Sequence, residues 1–186
     1  DQTSADVLYG GDGDDILYGN EGDNKLDAGV GDDIIYSKGG SDTIIIRSGD
    51  GSASLENTTK LKDFSDGTDI LGMDGLLFSD LTIVQGTDDY ASHTIIKSGS
   101  ENLLILENIQ SSNITIFDFS STSTDALTLN GTSADDGLVG GAGDDTFNGG
   151  AGNDTLLGFG GNDTFNIRSK TGTYADTVNG GAGTDT

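Results

Sequence analysis

Aspartate recurs at a fixed spacing of nine residues in two parts of the chain. In frames of nine counted from Asp1, the sixth position holds an acid or its amide: Asp6, Asp15, Asn24, Asp33 and Asp42. A second array of frames starts at Gly131, and its sixth positions hold Asp136, Asp145, Asp154 and Asp163. After a four-residue insertion at 167–170, the frame resumes with Asp176 and Asp185. Carboxylates suit hard cations such as calcium, so the spacing predicts a regular series of cation sites.

The other positions of the frame indicate which element places these acids. The eighth position is apolar: Leu8, Leu17, Leu26, Ile35 and Ile44 in the first array, then Leu138, Phe147, Leu156 and Phe165 in the second. A three-residue strand points its middle side chain inward, and the six residues before it form a turn in which glycine tolerates a positive φ. Two frames then complete one coil, so each turn lies over the second turn after it. Stacked strands lie about 4.7–4.9 Å apart and calcium binds oxygen at about 2.3–2.6 Å, so one ion fits midway between two turns.

The composition excludes several classes of protein. The 186 residues carry a net charge of −24 and contain no cysteine and one histidine, His93. Aspartate outnumbers glutamate 28 to 4, which favours turns over helices. An acidic surface of this kind repels nucleic acid and anionic membranes, and no apolar run approaches the roughly 20 residues of a membrane span. We therefore predict no nucleic-acid partner, no membrane span and no catalytic residue in this chain.

The frames resemble the hemolysin-type calcium-binding nonapeptides of the RTX family, written GGxGxDxUx with U large and apolar. The match is closest at residues 10–18, 140–148 and 149–157. The resemblance implies an all-β fold, namely a parallel β-roll (a calcium-bound right-handed solenoid) in two arrays joined by a β-rich capping segment. It also implies that backbone carbonyls of the first four turn positions, together with the sixth-position carboxylates of two stacked turns, bind each ion.

The resemblance assigns candidate calcium ligands in both arrays. In the first array they are Asp6, Gly10, Gly11, Asp12, Gly13, Asp15, Gly19, Asn20, Glu21, Gly22, Asn24, Ala28, Gly29, Val30, Gly31, Asp33 and Asp42. In the second they are Asp136, Gly140, Gly141, Ala142, Gly143, Asp145, Gly149, Gly150, Ala151, Gly152, Asp154, Gly158, Gly160, Gly161, Asp163, Asp176 and Asp185. Five sites follow from pairing Asp6 with Asn24, Asp15 with Asp33, Asn24 with Asp42, Asp136 with Asp154, and Asp145 with Asp163. The last two acids add further sites if the insertion loops out of the register.

Several turns depart from the family pattern. Asn24 carries no charge, Lys38 places a cation within a turn, and residues 3–5 and 132–134 lack glycine. We expect weaker sites or end caps there, and the sequence leaves open whether the Asn24 and Lys38 turns bind calcium. An EF-hand is excluded, because neither its D-x-[DN]-x-[DN]-G-x5-E spacing nor its helices occur.

The segment between the arrays has a different composition, with 7 of the 31 glycines in residues 46–130. We predict three domains, at 1–54 (first array), 55–130 (capping and connecting segment) and 131–186 (second array, truncated). Apolar stretches predict strands at 81–84, 94–97, 103–106 and 114–119. The segment is similar to the one that follows nonapeptides in many RTX proteins. The acids Asp63, Asp66, Asp69 and Asp74 form either a further calcium site or a solvated acidic turn.

The resemblance implies a function as well as a fold. We expect a calcium-binding module that folds on calcium outside the cell, as a structural part of a larger secreted bacterial protein (adhesin, toxin or hydrolase) exported by type I secretion. The chain stops at Thr186, before an expected apolar eighth position, so we expect it to be a fragment. Its expected partners are calcium and other domains of the same protein.

The alternative is a carbohydrate-binding module similar to the R-modules of alginate epimerases, based on the array-plus-cap order and on residues 167–174. Tyr9, Tyr18 and Tyr36 recur near the ninth position and form either an exposed stripe for a sugar or protein, or outward strand packing. No regular threonine ladder, as an ice-binding array needs, is apparent.

Overall fold

The chain consists of β-strands, turns and short 3-10 segments. The computed structural model describes residues 2–167 and 175–186. Two compact units are present, one formed by Asp1–Leu76 and Asp80–Phe119, the other by Leu77–Ser79 and Ser120–Thr186. The 3-10 segments are Leu55–Asn57, Phe78–Asp80, Asp88–Tyr90, Ser111–Asn113 and Ile116–Asp118. Within the described residues, no helix is long and apolar enough to cross a membrane.

The first unit is a roll of two sheets. Its strands are β1 (Val7–Asp12), β2 (Ile16–Tyr18), β3 (Lys25–Val30), β4 (Ile34–Tyr36), β5 (Thr43–Arg47), β6 (Lys60–Leu61), β7 (Ile70–Asp74), β8 (Leu81–Gln85), β9 (Thr94–Ser98), β10 (Glu101–Leu106) and, where the chain passes to the second unit, β11 (Phe119–Ser121). One sheet has the order β1-β3-β5-β7-β11 and the other the order β2-β4-β6-β10-β9-β8. Successive frames therefore alternate between the two sheets.

The register confirms the 18-residue coil. Val7 pairs with Lys25 in one sheet and Ile16 with Ile34 in the other, both in parallel. The apolar eighth positions from Leu17 to Ile44 are buried. Leu17 and Ile35 are the middle residues of three-residue strands, while Leu26 and Ile44 are the second residues of longer ones, and in each case the alternation of side chains turns them inward. The predicted all-β parallel roll is confirmed.

The segment after the first array continues both sheets. β7 pairs in parallel with β5, β6 with β4, and β10 with β6. β9 and β8 then extend the second sheet through antiparallel pairs. The strands predicted at 81–84, 94–97 and 103–106 are confirmed. The strand predicted at 114–119 is wrong, because a 3-10 turn occupies most of it. Asp118 accepts a hydrogen bond from the Thr115 amide, and the Thr115 hydroxyl accepts one from the Phe117 amide, which closes the turn.

The second unit repeats the roll with shorter strands. They are β12 (Thr128–Asn130), β13 (Gly137–Val139), β14 (Thr146–Asn148), β15 (Thr155–Leu157), β16 (Thr164–Phe165) and β17 (Thr177–Asn179). The sheets have the orders β12-β14-β16 and β13-β15-β17. The roll thus starts one frame before Gly131. Its core is Leu129, Leu138, Phe147 and Leu156, against which Leu127 and Phe165 pack.

The four-residue insertion does not disturb this register. β13 pairs with β15 at an offset of 18 residues, whereas β15 pairs with β17 at 22, as in Thr155 with Thr177. The difference equals the insertion. Most of the insertion, and the 168–174 part of the sugar-module motif, lie outside the described residues.

Two outward-facing patterns differ from the expectation. Tyr18 and Tyr36 stack with ring centroids 4.9 Å apart, but Tyr9 lies on the other sheet, so the three tyrosines form no single stripe. The expected lack of a threonine ladder is wrong, since Thr128, Thr146 and Thr164 stack in register. The reason is the same in both cases. Only every second frame returns to the same sheet, so side chains stack at a period of 18 residues and not 9.

Candidate metal centres

The sixth-position side chains lie inside the turns and connect consecutive coils. In eight of them, Oδ1 accepts a hydrogen bond from the backbone amide of the sixth residue in the turn below. The eight are Asn24, Asp33, Asp42, Asp145, Asp154, Asp163, Asp176 and Asp185. The distances are 2.8–3.1 Å, from Asp6 with Asn24 to Asp163 with Asp185. This pattern includes Asp176 and Asp185, so the insertion leaves both in register. The stacking that was predicted from the spacing is present along both rolls.

The second carboxylate oxygen is the one left for a cation. Oδ2 of Asp15, Asp42 and Asp163 is buried and has no hydrogen-bond partner. A buried carboxylate oxygen without a donor is costly unless a cation lies against it. Burial accordingly raises the pKa of the Asp42 and Asp163 carboxyls above the ordinary value. These atoms therefore fit a bound cation.

Glycine at the first turn position makes room for this oxygen. A β-carbon added at Gly10 would lie 2.9 Å from Asp15 Oδ2, and one at Gly149 would lie 2.7 Å from Asp154 Oδ2. Both are closer than real β-carbons approach. At Gly10 the Ala28 carbonyl oxygen is nearer still, so the first position leaves no room for a side chain between the carboxylate of its own turn and the coil above.

Backbone carbonyls enter the same gaps from both sides. The Gly11 and Gly13 carbonyls point up at Gly29 and Gly31, and the Ala28 carbonyl points down at Gly10. In the second unit, the carbonyls of residues 132 and 134 point up and that of residue 149 points down in the same manner. Each gap thus combines carbonyl oxygens of two turns with the carboxylates, which is the all-oxygen donor set that calcium takes.

Acidic side chains alone do not form a metal site. Among residues 2–167 and 175–186, no three His, Cys, Asp or Glu side chains converge on one point. The remaining oxygens must come from the backbone. Some carbonyls also accept backbone hydrogen bonds, such as Gly141 from Gly160 and Val30 from Gly13, which leaves them one lone pair.

The junction after the first array is closed mainly by hydrogen bonds. Asp63 accepts from the Ser37 and Lys38 amides, and Asp69 accepts from the Asp42 and Ser65 amides. Asp74 instead pairs with Arg47. The four acids of residues 63–74 therefore do not converge on one site.

Two departures from the ideal pattern have local explanations. Lys38 adopts φ 72°, the left-handed conformation that glycine supplies in other turns, and its amine lies 5.6 Å from the Tyr18 ring centre. Asp33 uses its second oxygen to accept a hydrogen bond from the Thr59 hydroxyl at 3.0 Å. In the gap above Asp33, a hydroxyl of the connecting segment therefore supplies a hydrogen bond to the carboxylate oxygen that would otherwise face a cation.

The side chains at the fifth position form a further series of hydrogen bonds between coils, which the sequence did not lead us to predict. Each side-chain Oδ1 there accepts a hydrogen bond from the backbone amide one coil above, as in Asp14 from Asp32 and Asp144 from Asn162. The same bond recurs at Asp23, Asp135, Asn153 and Asn162. Positions five and six thus link coils in opposite directions. The signal was present, since most frames place two acids or amides side by side.

Comparison with known proteins agrees with this geometry. No curated protein matches the chain. The family model of the RTX calcium-binding nonapeptide repeat (HemolysinCabind) matches four times, at residues 3–26, 9–44, 128–166 and 170–186. Together these matches cover more than half of the chain and both rolls. The chain belongs to the RTX calcium-binding nonapeptide repeat family, and it is a calcium-binding structural module.

Proposed function

We propose that this module folds on calcium outside the cell, as a structural part of a larger secreted bacterial protein such as an adhesin, toxin or hydrolase. The observation that carries the proposal is the buried, unpartnered Oδ2 of Asp15 and of Asp163. Without a cation these oxygens oppose folding, and with calcium they contribute to it. Extracellular calcium modules bind at about 10⁻⁴–10⁻³ M, so the chain stays open where calcium is scarce.

We assign the ions to gaps between stacked turns, with the ligands named from the sequence. The gaps with two acids join Asp15 to Asp33, Asp136 to Asp154, and Asp145 to Asp163, and the retained register adds Asp154 with Asp176 and Asp163 with Asp185. The Asp6 and Asn24 gap has one carboxylate. This assignment supports about five ions.

Calcium removal tests the proposal directly. Circular dichroism of the full chain in EDTA should show a large loss of the β signal, and millimolar calcium should restore it. Magnesium at the same concentration is the matched control, because its demand for near-octahedral geometry does not suit carbonyl-lined gaps. An unchanged β spectrum in EDTA would reject calcium-dependent folding.

Folding on calcium also suits export of an open chain followed by folding at the cell exterior. The lack of cysteine removes any need for an oxidising compartment. Secretion of the calcium-free chain through a type I exporter, with folding assayed only after calcium is added outside, tests this part. In the control, a chain that has already folded on calcium inside the cell should fail to pass through the exporter.

Carbohydrate binding is the second candidate. A groove on the first unit is lined by Tyr9, Asp27, Arg47 and Asp50, and the Tyr9 side chain is 72% exposed beside it. An exposed ring beside fixed charged groups suits stacking on a sugar. Glycan-array binding that is lost in Tyr9→Ala and kept in Tyr18→Ala would support it. No binding to any glycan by the calcium-loaded wild type would reject it.

A further inference from the structure

We propose that Asn24 closes the gap between turns 19–24 and 37–42 without a metal ion, so that one rung of the roll is independent of calcium. The proposal rests on the calcium-dependent module proposed above, and it concerns a gap that the sequence counted as a calcium site. It assigns the amide nitrogen of Asn24 the role that a cation has in the neighbouring gaps, which is to bind the oxygens of the turn and of the facing carboxylate.

The contacts of Asn24 carry the inference. The side chain is 2% exposed. Its Nδ2 donates to the Gly22 carbonyl at 2.6 Å and to Asp42 Oδ1 at 3.0 Å, with the Asn20 carbonyl at 3.4 Å. These acceptors are the turn carbonyls and the carboxylate expected to bind an ion in this gap. The amide therefore already satisfies the Gly22 carbonyl and Asp42 Oδ1, whereas Asp42 Oδ2 has no hydrogen-bond partner.

A comparison with an aspartate turn shows what the amide replaces. A β-carbon added at Gly19 would lie 3.0 Å from Asn24 Nδ2, much as one at Gly10 would lie 2.9 Å from Asp15 Oδ2. The two atoms thus occupy equivalent places in their turns. At Asp15 the atom is a carboxylate oxygen without a donor. At Asn24 it is a donor, so the repulsion that calcium relieves elsewhere does not arise.

The orientation of the amide is fixed by its surroundings. Asn24 Oδ1 accepts from the Asp6 amide at 3.1 Å, which only an oxygen can do. A flipped amide would place its NH₂ against that donor and its oxygen against the Gly22 and Asn20 carbonyls. The hydrogen-bond network thus excludes the flip.

Electrostatics favour the same conclusion. The gap contains one carboxylate, Asp42, instead of two, and its Oδ1 accepts from both the backbone amide and Nδ2 of Asn24 at 2.8 and 3.0 Å. An ion entering the gap must displace these hydrogen bonds and gains one carboxylate fewer than elsewhere. Calcium affinity rises with the number of charged ligands, so in this gap the hydrogen-bonded arrangement is more stable than the calcium-bound one.

Isothermal titration of the full chain with calcium chloride is the test. Asn24→Asp should bind more calcium per chain than the wild type, with one ion added in this gap and one in the gap to Asp6, which also gains its second acid. It should also need more calcium to reach half of the β signal. Asn162→Asp is the matched control, because it adds the same charge at a fifth position where Asp14 and Asp144 occur naturally. Its stoichiometry should equal that of the wild type. An unchanged stoichiometry in an Asn24→Asp chain that folds in calcium overturns the proposal.

A second measurement covers the case in which Asn24→Asp fails to fold. Anomalous diffraction from calcium-grown crystals of the wild type should show peaks in the gaps with two acids and none between turns 19–24 and 37–42. A peak there overturns the proposal while leaving the calcium-dependent module intact. A wild type that takes up no calcium at all would instead reject the proposed function, and this inference with it.

Discussion

The two units repeat the same nine-residue frame but bury very different amounts of apolar surface. Among the described residues, twenty buried apolar side chains lie in the first unit and six in the second. In the first, residues beyond the array add Ile95, Ile96 and the strand Glu101–Leu106 to the core. In the second, the core is essentially one column of inward-facing side chains. The frame therefore sets the shape of a roll, while its own core is thin.

This difference divides the sources of stability. The first unit contains antiparallel strand pairs and ion pairs, which need no metal. The second unit has its turns, its single column and the buried acids Asp145, Asp154 and Asp163. Ordering the backbone costs about 1–2 kcal/mol of conformational entropy per residue. A core this small does not offset that cost without the binding free energy of the ions. We expect the second unit to be the more calcium-dependent of the two.

The largest expected effect is therefore selective unfolding on calcium removal. In EDTA, amides of residues 120–167 and 175–186 should lose nearly all protection from hydrogen exchange, while β8, β9 and β10 keep a substantial part of theirs. Hydrogen exchange with mass spectrometry on the full chain, with and without calcium, measures this. Equal loss of protection in both regions would show that the apolar core of the first unit does not keep that unit folded without calcium.

Truncating a core side chain of the second unit should have the second-largest effect on stability. Phe147 is fully buried and stacks on Phe165 with centroids 4.7 Å apart. We expect Phe147→Ala to lower the free energy of unfolding by about 3–5 kcal/mol in saturating calcium. Chemical unfolding monitored by circular dichroism checks this. Val178→Ala, at a position 39% exposed, is the control and should change stability by less than about 0.5 kcal/mol.

Removing one calcium ligand should have an effect whose sign depends on calcium. Asp163 belongs to two of the proposed gaps, with Asp145 and with Asp185. For dissociation constants of about 10⁻⁴–10⁻³ M, Asp163→Asn should cost about 1.4–2.7 kcal/mol at about 10 mM calcium for each ion that it loses. In EDTA the same change should stabilise the chain, because it removes a buried, unpartnered carboxylate oxygen whose burial raises the pKa of Asp163. Thermal unfolding measures the first sign in calcium. The second sign is measured in EDTA as residual hydrogen-exchange protection of residues 120–167, which should be higher in the variant than in the wild type. A loss of stability in both would mean that Asp163 acts through packing alone.

The sequence predicted the repeating part of the fold well, because period and chemistry coincide there. The sixth-position acids and eighth-position apolar residues stack as expected, since two frames make one coil. What stacks outside the roll was harder to predict. Tyr9 and Thr128 show that outward patterns follow the two sheets alternately, which a frame-by-frame comparison does not reveal.

Residues outside the repeat were less predictable for a different reason. The 114–119 stretch is apolar enough for a strand, yet Asp118 and Thr115 close a 3-10 turn through local hydrogen bonds. The roles of Asp63 and Asp69 depend on which amides lie opposite them after a connection that restores the register at an offset of 26 residues in one sheet and 27 in the other. No spacing rule gives these offsets. The residue pattern along the chain therefore does not predict contacts that depend on how distant strands pair.

The smallest effect concerns an ion-pair cluster of the first unit, and it tests whether that unit has stability unrelated to calcium. Arg47 pairs with Asp27, Asp50 and Asp74 at 2.7–3.0 Å, and its hydrogen bond to Asp27 is the main cause that raises the pKa of the guanidinium. Arg47→Ala leaves the three carboxylates facing one another, so we expect a loss of about 1 kcal/mol, weaker in high salt. Arg47→Lys keeps the charge without the planar fork and should fall between. Denaturant unfolding and calcium titration together decide the point, because the calcium stoichiometry should not change. If Arg47→Ala removed a calcium ion, the first unit would depend on calcium as the second does, and the contrast between them would fail.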